Sequence, residues 1–377
     1  MSFVAPRYAD RSLADLIPAV ASALGVRTDL GAAAAGLELP AATGYVVFLV
    51  DGLGYELLRD HPGHAPFLHS LLEGSAPATA GVPSTTATSL TSLGTALEPG
   101  RHGVVGYTSR IPGTDTLLNA LAWSKSVDPR QWQPHPTALG RLAEAGVRTT
   151  VVNKREFAAS GLSVASHRGA DFVGADRVGE RMAAVLVASA DDRSGTPSLT
   201  YMYDGDLDWT GHRYGVASPQ WQQQLSMIDA AAERLRDTLP DRVRIVVVAD
   251  HGMVDSPASA RLDVVDVPTL LDGVVVLGGE ARFRQVYCRA GAVDDVLAAW
   301  RDVLGPRAEV LRRDEALELG WFGTLEEQVR PRIGDVLVAC REDFSVMSST
   351  AFPHEAKLVG LHGSLTSAEM LIPVLVC

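Results

Sequence analysis

Tyr45-Val46-Val47-Phe48-Leu49-Val50-Asp51-Gly52 is an unbroken apolar run that stops at an acid and a glycine. A strand with one face in water alternates apolar and polar residues. A run that is apolar at every position needs cover on both faces, as in a parallel sheet layered with helices. The pattern recurs twice. Residues 198–203 run into Asp204, Asp206 and Asp208, and residues 243–249 run into Asp250-His251-Gly252. Around these strands lie segments with helical spacing: 12–24 with Ser12 as its cap, the stretch holding Phe67, Leu68, Leu71 and Leu72, then 137–145, 176–190 and 219–239. Residues 147–152 read as a further strand and 104–135 as irregular. Strand–helix alternation of this kind predicts an α/β fold with a doubly wound, mostly parallel sheet flanked by helices. Ligands in such folds sit beyond the carboxyl ends of the strands.

Residues 254–344 change character. Short strands at 274–277, 284–287 and 336–338 accompany one clear helix at 292–304. The reading is a small inserted α+β cap at 254–344, with residues 1–253 and 345–377 forming the catalytic core. The chain returns through 358–363 to a final apolar strand at 371–376.

With 377 residues, 46% apolar content and 35 glycines, the chain is long enough for a large globular α/β unit. Its 33 basic and 45 acidic side chains leave a formal charge of −12. That balance argues against binding a nucleic-acid polymer or an anionic membrane. A small anionic substrate stays open, because metal ions make a site locally positive. Cys288, Cys340 and Cys377 are far apart and lack metal-ligand spacing, so they read as free thiols in a reducing compartment. The first twenty residues lack a basic start followed by an apolar core. The expected location is cytoplasmic.

The stretch 81–103, GVPSTTATSLTSLGTALEPGRHG, carries eight hydroxyls: Ser84, Thr85, Thr86, Thr88, Ser89, Thr91, Ser92 and Thr95. Ala87, Leu90, Leu93 and Leu97 recur at helical spacing, so a short helix is predicted to begin near Thr86. A hydroxyl at a helix N-terminus meets unpaired N–H groups and the positive end of the dipole, which suits a phosphate. Read alone, the stretch favours a capped Ser/Thr loop without chemistry. The acids and histidines elsewhere change that. Asp208 and His212 stand four residues apart in DLDWTGH, Asp250 and His251 adjoin at a strand end, and His362 precedes a glycine late in the chain. With Asp51 they make three carboxylates and three imidazoles, a mixed set that borderline ions such as zinc favour. Six ligands suffice for two ions with positions left open for nucleophile and substrate. A threonine hydroxyl is a poor nucleophile unless coordination lowers its pKa.

In order and spacing these motifs resemble the alkaline phosphatase superfamily, in particular its nucleotide pyrophosphatase/phosphodiesterase branch. Pro83-Ser84-Thr85-Thr86, Thr95, Pro99 and His102-Gly103 match the nucleophile segment. Asp208 with Gly211-His212, Asp250-His251-Gly252 and His362-Gly363 match the metal motifs. The resemblance implies an alkaline-phosphatase-like core with Thr86 as nucleophile. It assigns Asp208, His212 and His362 to one metal, and Asp51, Asp250 and His251 to the other, with Thr86 between them. The implied cofactors are two divalent ions, zinc first, with manganese or iron as alternatives. The implied substrate is a small phosphodiester or pyrophosphate, a nucleotide among the candidates.

Two departures stand out. Where diesterases of the family carry an aromatic after the nucleophile this chain has Ala87, and where they carry Asn it has Ser89. Ser89 is the expected phosphoryl contact, and Tyr107, with Trp123 and Trp132, the expected base-stacking group; core or loop packing is the competing reading for these aromatics. His102 reads as structural. Asp204 and Asp206 read either as orienting groups behind the ligands or as a solvated loop. The alternatives to a diesterase are a phosphomonoesterase or phosphonate hydrolase on the same centre, and, from another class, a non-catalytic metal-binding protein. A sulfatase is disfavoured, since Pro83–Thr86 lacks that family's modified Cys or Ser followed by Pro and Arg.

Overall fold

The computed structural model describes residues 3–31, 33–190 and 195–377. A 3-10 turn at Leu13–Asp15 leads into helix α1 (Leu16–Ala23). The Ser12 N–H and hydroxyl both donate to the Asp15 carboxylate and fix this start at 2.8 and 2.7 Å. Strand β1 (Gly44–Val50) follows and is buried at every position, as its composition requires. Helix α2 spans Thr86–Thr95, helix α3 Ala138–Glu144 and strand β2 Arg148–Asn153. Helix α4 (Gly161–His167), strand β3 (Asp171–Gly174) and helix α5 (Val178–Ala188) come next. Strand β4 (Ser198–Asp204), helix α6 (Asp206–Tyr214), helix α7 (Pro219–Thr238) and strand β5 (Val243–Val248) complete this half.

A second sheet is built from β6 (Val274–Glu280), β7 (Phe283–Cys288), β8 (Ala308–Arg312) and β9 (Val336–Cys340), with helix α8 (Val293–Leu304) against it. Strand β10 (Val374–Val376) returns to the first sheet. The central order is β10-β5-β1-β4-β2-β3. Every pairing in it is parallel except the edge strand β10, which runs antiparallel to β5.

Register sets the site. Leu49 pairs with Val248 on one side and Tyr203 on the other, so Asp51 and Asp250 emerge level with each other at the carboxyl ends. The ladder continues one step further, where the Asp51 N–H donates to the Asp204 carbonyl at 2.9 Å. Gly52 has φ +75, and a Cβ there would press on Asp208 at 3.1 Å. Only a glycine lets the chain turn so close to that acid.

The second sheet has two apolar faces. Val336 and Val338, with Val286 and Val310, pack on Trp300 and Val296 of α8. Leu337 and Ala339, with Phe283 and Leu311, join the main core. Strand periodicity of two therefore divides one sheet between two cores. Buried Arg282 pairs with Glu369, and buried Arg284 with Glu355, which ties this sheet to the C-terminal segment.

Several local expectations change. The 104–135 region is not wholly irregular: it holds a hairpin, Thr108–Arg110 with Leu117–Asn119, and a helical turn at Pro129–Trp132. The final apolar run is two strands, because Pro373 has no N–H to continue a ladder. Leu371–Ile372 pairs with Ala78–Thr79, and only Val374–Val376 joins the main sheet. Strands β3 and β8 escaped the sequence reading. The first alternates exposed and half-buried residues at the sheet edge, and the second is short and flanked by arginines. Among the described residues, no helix is long and apolar enough to cross a membrane.

Helix α2 is buried at all ten positions. It can sit so deep because Gly94 rests on α4, where an added Cβ would lie 1.9 Å from the Ser166 carbonyl oxygen. Gly94→Ala is expected to cost about 1–3 kcal/mol by overpacking and to lower the thermal midpoint. An unchanged melting curve would mean that the two helices are not in contact at this point.

Candidate active site

The hydroxyl-rich helix resolves into one group that faces a cavity and several that serve the backbone. Thr86 is the first residue of α2, with Thr85 as its N-cap. Its Oγ1 lies 3.1 Å from His251 Nε2 and 3.4 Å from Asp51 Oδ2. Thr85 lines a cavity beside Glu280, and most of the other hydroxyls turn away. Ser84 donates to the Ser364 carbonyl, Thr91 to Ala87, Thr95 to Thr91, and Ser92 meets His102 Nε2 at 2.9 Å. Ser89 is a correction to the sequence reading. It is fully buried, and its hydroxyl donates to the Asp250 carbonyl at 2.8 Å, so it braces the strand end from behind instead of meeting substrate.

The acids and imidazoles converge on Thr86. Asp51, Asp250 and His251 form one compact donor group, with its ligand atoms within 4.8 Å of one another. Asp208, His251 and His362 form a second such group. His251 thus belongs to both, since its ring stacks on His362 with centroids 3.7 Å apart. His212 stands just outside: its Nε2 is 3.4 Å from Asp208 Oδ2, and its ring centroid is 5.0 Å from that of His362. Helical spacing on α6 turns it toward Asp208, its own neighbour one turn back.

Each imidazole is tied to the backbone by Nδ1: His251 to Gly252 O at 2.9 Å, His362 to Ser84 O at 2.9 Å, and His212 to Gly360 O at 2.8 Å. A carbonyl can only accept, so Nδ1 carries the proton and Nε2 is a free lone pair. The carboxylates show the complementary feature. Asp51 Oδ1, Asp208 Oδ1 and Asp250 Oδ2 are buried without a hydrogen-bond partner among the described residues. Asp250 spends its other oxygen on the N–H groups of Gly52 and His251, at 3.1 and 3.0 Å. Burial, then the charges of Asp250 and Asp208, push the Asp51 carboxyl well above the usual range. Burial also raises Asp250. Burial, then the neighbouring His251 and His212, push His362 well down. Orphaned carboxylate oxygens beside imidazole lone pairs are the donor set that a divalent cation satisfies, so these residues fit metal ions.

Two cavities open from Thr86. One, of about 170 Å³, includes Asp51, Asn153, Phe157, Leu162, His167 and Tyr203. The other, of about 220 Å³, includes Thr85, Tyr107, His212, Glu280, His354 and His362. Thr86, Leu121 and Asp208 line both. A larger hollow of about 860 Å³ among residues 18–39 is lined by none of these acids or imidazoles.

Tyr107 lines the second cavity, where its hydroxyl accepts from Asn119 at 2.8 Å. Trp123 and Trp132 line neither cavity. Trp132 is buried, donates to Gly103 O at 3.0 Å and lies under the Arg332 guanidinium, and Trp123 packs edge-on against it. Asp204 is paired with buried Arg181 at 2.6 Å, and Asp206 with Lys154 at 2.9 Å, which anchors the start of α6 ahead of Asp208.

Sequence reasoning missed Tyr203, whose hydroxyl donates to Asp51 Oδ2 in a short hydrogen bond. Its place as the last apolar residue before the Asp204 cluster was the available signal. It also missed Glu280, His167 and Asn153, which belong to no motif.

His102 is buried, accepts from the Val104 N–H and is pushed down to about 3 by burial. His167 is likewise pushed down to about 4. Both are neutral in the folded protein, whereas unfolded histidine takes a proton below about pH 6.5. The unfolded state therefore binds more protons in acid, and their stability contribution is full above that pH and lost as pH falls toward 3–4. Going from pH 7.5 to pH 5 should cost about 2 kcal/mol per histidine. His102→Asn should flatten this slope in denaturant titrations; an unaltered slope would mean that His102 is protonated in the fold.

Fold and site together define an α/β protein of the alkaline-phosphatase type. Residues 45–365 match the type I phosphodiesterase/nucleotide pyrophosphatase family, and the chain belongs to that family. Human ectonucleotide pyrophosphatase/phosphodiesterase family member 7 is 37% identical over 60 residues, which cover 15% of this chain and only 13% of the human protein. Its mouse counterpart is 34% identical over 61 residues, 15% of this chain and 14% of that one. Murine ectonucleotide pyrophosphatase/phosphodiesterase 5 superposes with a TM-score of 0.69 at 17% identity, covering 88% of this chain and 87% of that one. An inactive threonine-to-alanine variant of the same mouse protein, in complex with AMP, gives 0.67 at 17% identity and the same coverage.

Proposed function

We propose that this protein is a metal-dependent hydrolase of phosphodiester or pyrophosphate bonds that works through a phospho-threonine on Thr86. The observation that carries the reading is the Thr86 hydroxyl at a helix N-terminus, facing Asp51 and His251 beside three unpartnered carboxylate oxygens. Divalent ions, zinc before manganese or iron, would be held by Asp51, Asp250 and His251 and by Asp208, His212 and His362, and when bound supply Lewis acidity that acidifies the hydroxyl and offsets phosphoryl charge.

The chain's own groups account for the rest. Thr86 Oγ1 attacks phosphorus, forming a P–O bond as the bond to the leaving oxygen breaks. With the His251 Nε2 lone pair given to an ion, its proton has an acceptor in Asp51 Oδ2, 3.4 Å away. The free N–H groups at the start of α2 face the oxygens that gain charge. Water then cleaves the phospho-threonine and restores the hydroxyl. A nucleotide substrate is supported by family membership and by the AMP complex of the mouse relative. That relative's inactive form is a threonine-to-alanine change, in keeping with Thr86 as nucleophile. We also assign residues 254–344 as a cap subdomain, a reading supported by its separate sheet and by Glu280 reaching the cavity.

Bis-p-nitrophenyl phosphate and p-nitrophenyl phosphate, assayed before and after chelation and zinc return, test this directly. Faster diester cleavage, lost on chelation and restored by zinc, is the expected result. Faster monoester cleavage would move the activity to a phosphatase. Full activity after complete metal removal would overturn the metal-dependent reading.

A further inference from the structure

His167 belongs to no motif, yet it lines the smaller cavity, 8% exposed, with Nε2 unpartnered among the described residues. Its tautomer follows from its neighbours. The Ser166 hydroxyl donates its one proton to the Leu162 carbonyl at 2.7 Å. His167 Nδ1, 2.6 Å from the Ser166 hydroxyl oxygen, must then be the donor, which leaves Nε2 as a bare acceptor. The ring is held in place by stacking on Tyr201, with centroids 4.7 Å apart. Burial keeps the imidazole neutral, with its value pushed down to about 4.

The rest of the cavity sorts by chemistry. Leu121, Phe157 and Leu162 supply flat or branched apolar surface, and Asn153 a polar end. Asn153 Oδ1 accepts from the Lys154 N–H at 2.8 Å, so its amide NH2 is the group left to donate. Ser160, Ser163, Ser166 and Tyr203 also line the lobe, but their hydroxyls are engaged: Ser160 donates to Ser163, Ser166 to Leu162 and Tyr203 to Asp51. The His167 acceptor and the Asn153 amide donor are the pair left for a ligand, and they suit a planar heterocycle with a ring N–H beside a carbonyl. At about 170 Å³ the lobe falls below the roughly 300–1,000 Å³ of a drug-sized site, which fits a single ring system. Thr86 and Asp51 line the same lobe, so a ring seated here belongs to a phosphate ester in the reacting position.

We propose that His167 is a specificity-determining residue whose Nε2 accepts from the ring N–H of a lactam or imide base, so that this lobe selects nucleotide esters bearing such an edge. The proposal rests on the phosphodiesterase reading and adds to it a residue and a class of base. An unpaired Nε2 in a buried lobe penalises any ligand that cannot donate to it.

The test compares p-nitrophenyl esters of uridine 5′-phosphate and of N3-methyluridine 5′-phosphate, which lacks the ring N–H. The wild-type protein should favour the first by about tenfold or more in kcat/KM. In His167→Leu that ratio should fall toward one. In His167→Gln, whose side chain offers an amide oxygen, it should partly return. A wild-type ratio near one, or a ratio unchanged in His167→Leu, would overturn the proposal. If the leucine variant fails to fold, as its melting curve would reveal, the wild-type and glutamine ratios still decide. Wild-type turnover of bis-p-nitrophenyl phosphate is measured in parallel. Turnover with a ratio near one rejects the role of His167 alone; no turnover of any of these esters rejects the parent reading and the proposal with it.

Discussion

Thr86→Ala is expected to lower diester turnover by at least about 10³-fold while leaving the melting temperature close to that of the wild type. The reason is local. Thr86 is the hydroxyl of α2 that faces His251 and Asp51 within 3.4 Å, and its loss removes the attacking oxygen without disturbing the backbone contacts made by Ser84, Ser89, Thr91 and Thr95. Thr86→Ser keeps an oxygen at the same position and should retain a measurable part of the rate. The check is a steady-state assay with trapping of the phosphorylated intermediate by acid quench. Full activity in Thr86→Ala, or label recovered on another residue, would remove the covalent route.

The second large effect concerns Asp250, and its signature is a change of sign. Asp250 Oδ2 lies buried without a partner, near the charges of Asp51 and Asp208. Asp250→Asn keeps the oxygen that accepts from Gly52 and His251 but removes one of three crowded negative charges. Without metal, the variant should melt higher than the wild type, because repulsion between buried like charges is relieved. With zinc, the order should reverse, because the wild type gains more from binding ions than a site short of one anionic ligand. Metal content should fall by about one ion per chain, and activity by at least about 10²-fold. Melting curves in chelator and in zinc give both comparisons. A variant that melts lower in both would show that Asp250 acts as a structural hydrogen-bond acceptor and not as a ligand.

What could be read from the sequence follows the range of the interactions. β1 and β5 were legible because strands buried on both faces must be apolar throughout, and their terminal acids fell at the site because register carries them there. Helix α2 was legible from its leucine spacing, and Thr86 from its place at the start. Ser89 was misjudged because proximity to the nucleophile in sequence does not give side-chain direction. One turn of helix later, its hydroxyl points to the Asp250 carbonyl. Trp123 and Trp132 were offered as stacking platforms, but a tryptophan N–H needs an acceptor, and here Trp123 finds one in the Val127 carbonyl and Trp132 in the Gly103 carbonyl. Tyr203, Glu280 and His167 were missed for a common reason. Their roles depend on partners 152, 82 and 34 residues away, Asp51, His362 and Tyr201, and no local pattern encodes such distances.

The division of the second sheet between two cores bears on how substrate enters. A lid that swings needs an interface able to part without exposing much apolar surface. Here Leu337 and Ala339 are sealed into the main core while Val336 and Val338, their chain neighbours, are sealed beneath α8. Rotating the sheet as a body would pull one face or the other into water and sever the Arg282–Glu369 and Arg284–Glu355 pairs as well. Gating therefore falls to smaller parts. Leu121, half exposed and lining both cavities, is one such part. Traffic through this site should then be set by side-chain motion on the nanosecond scale and by release of product from the centre.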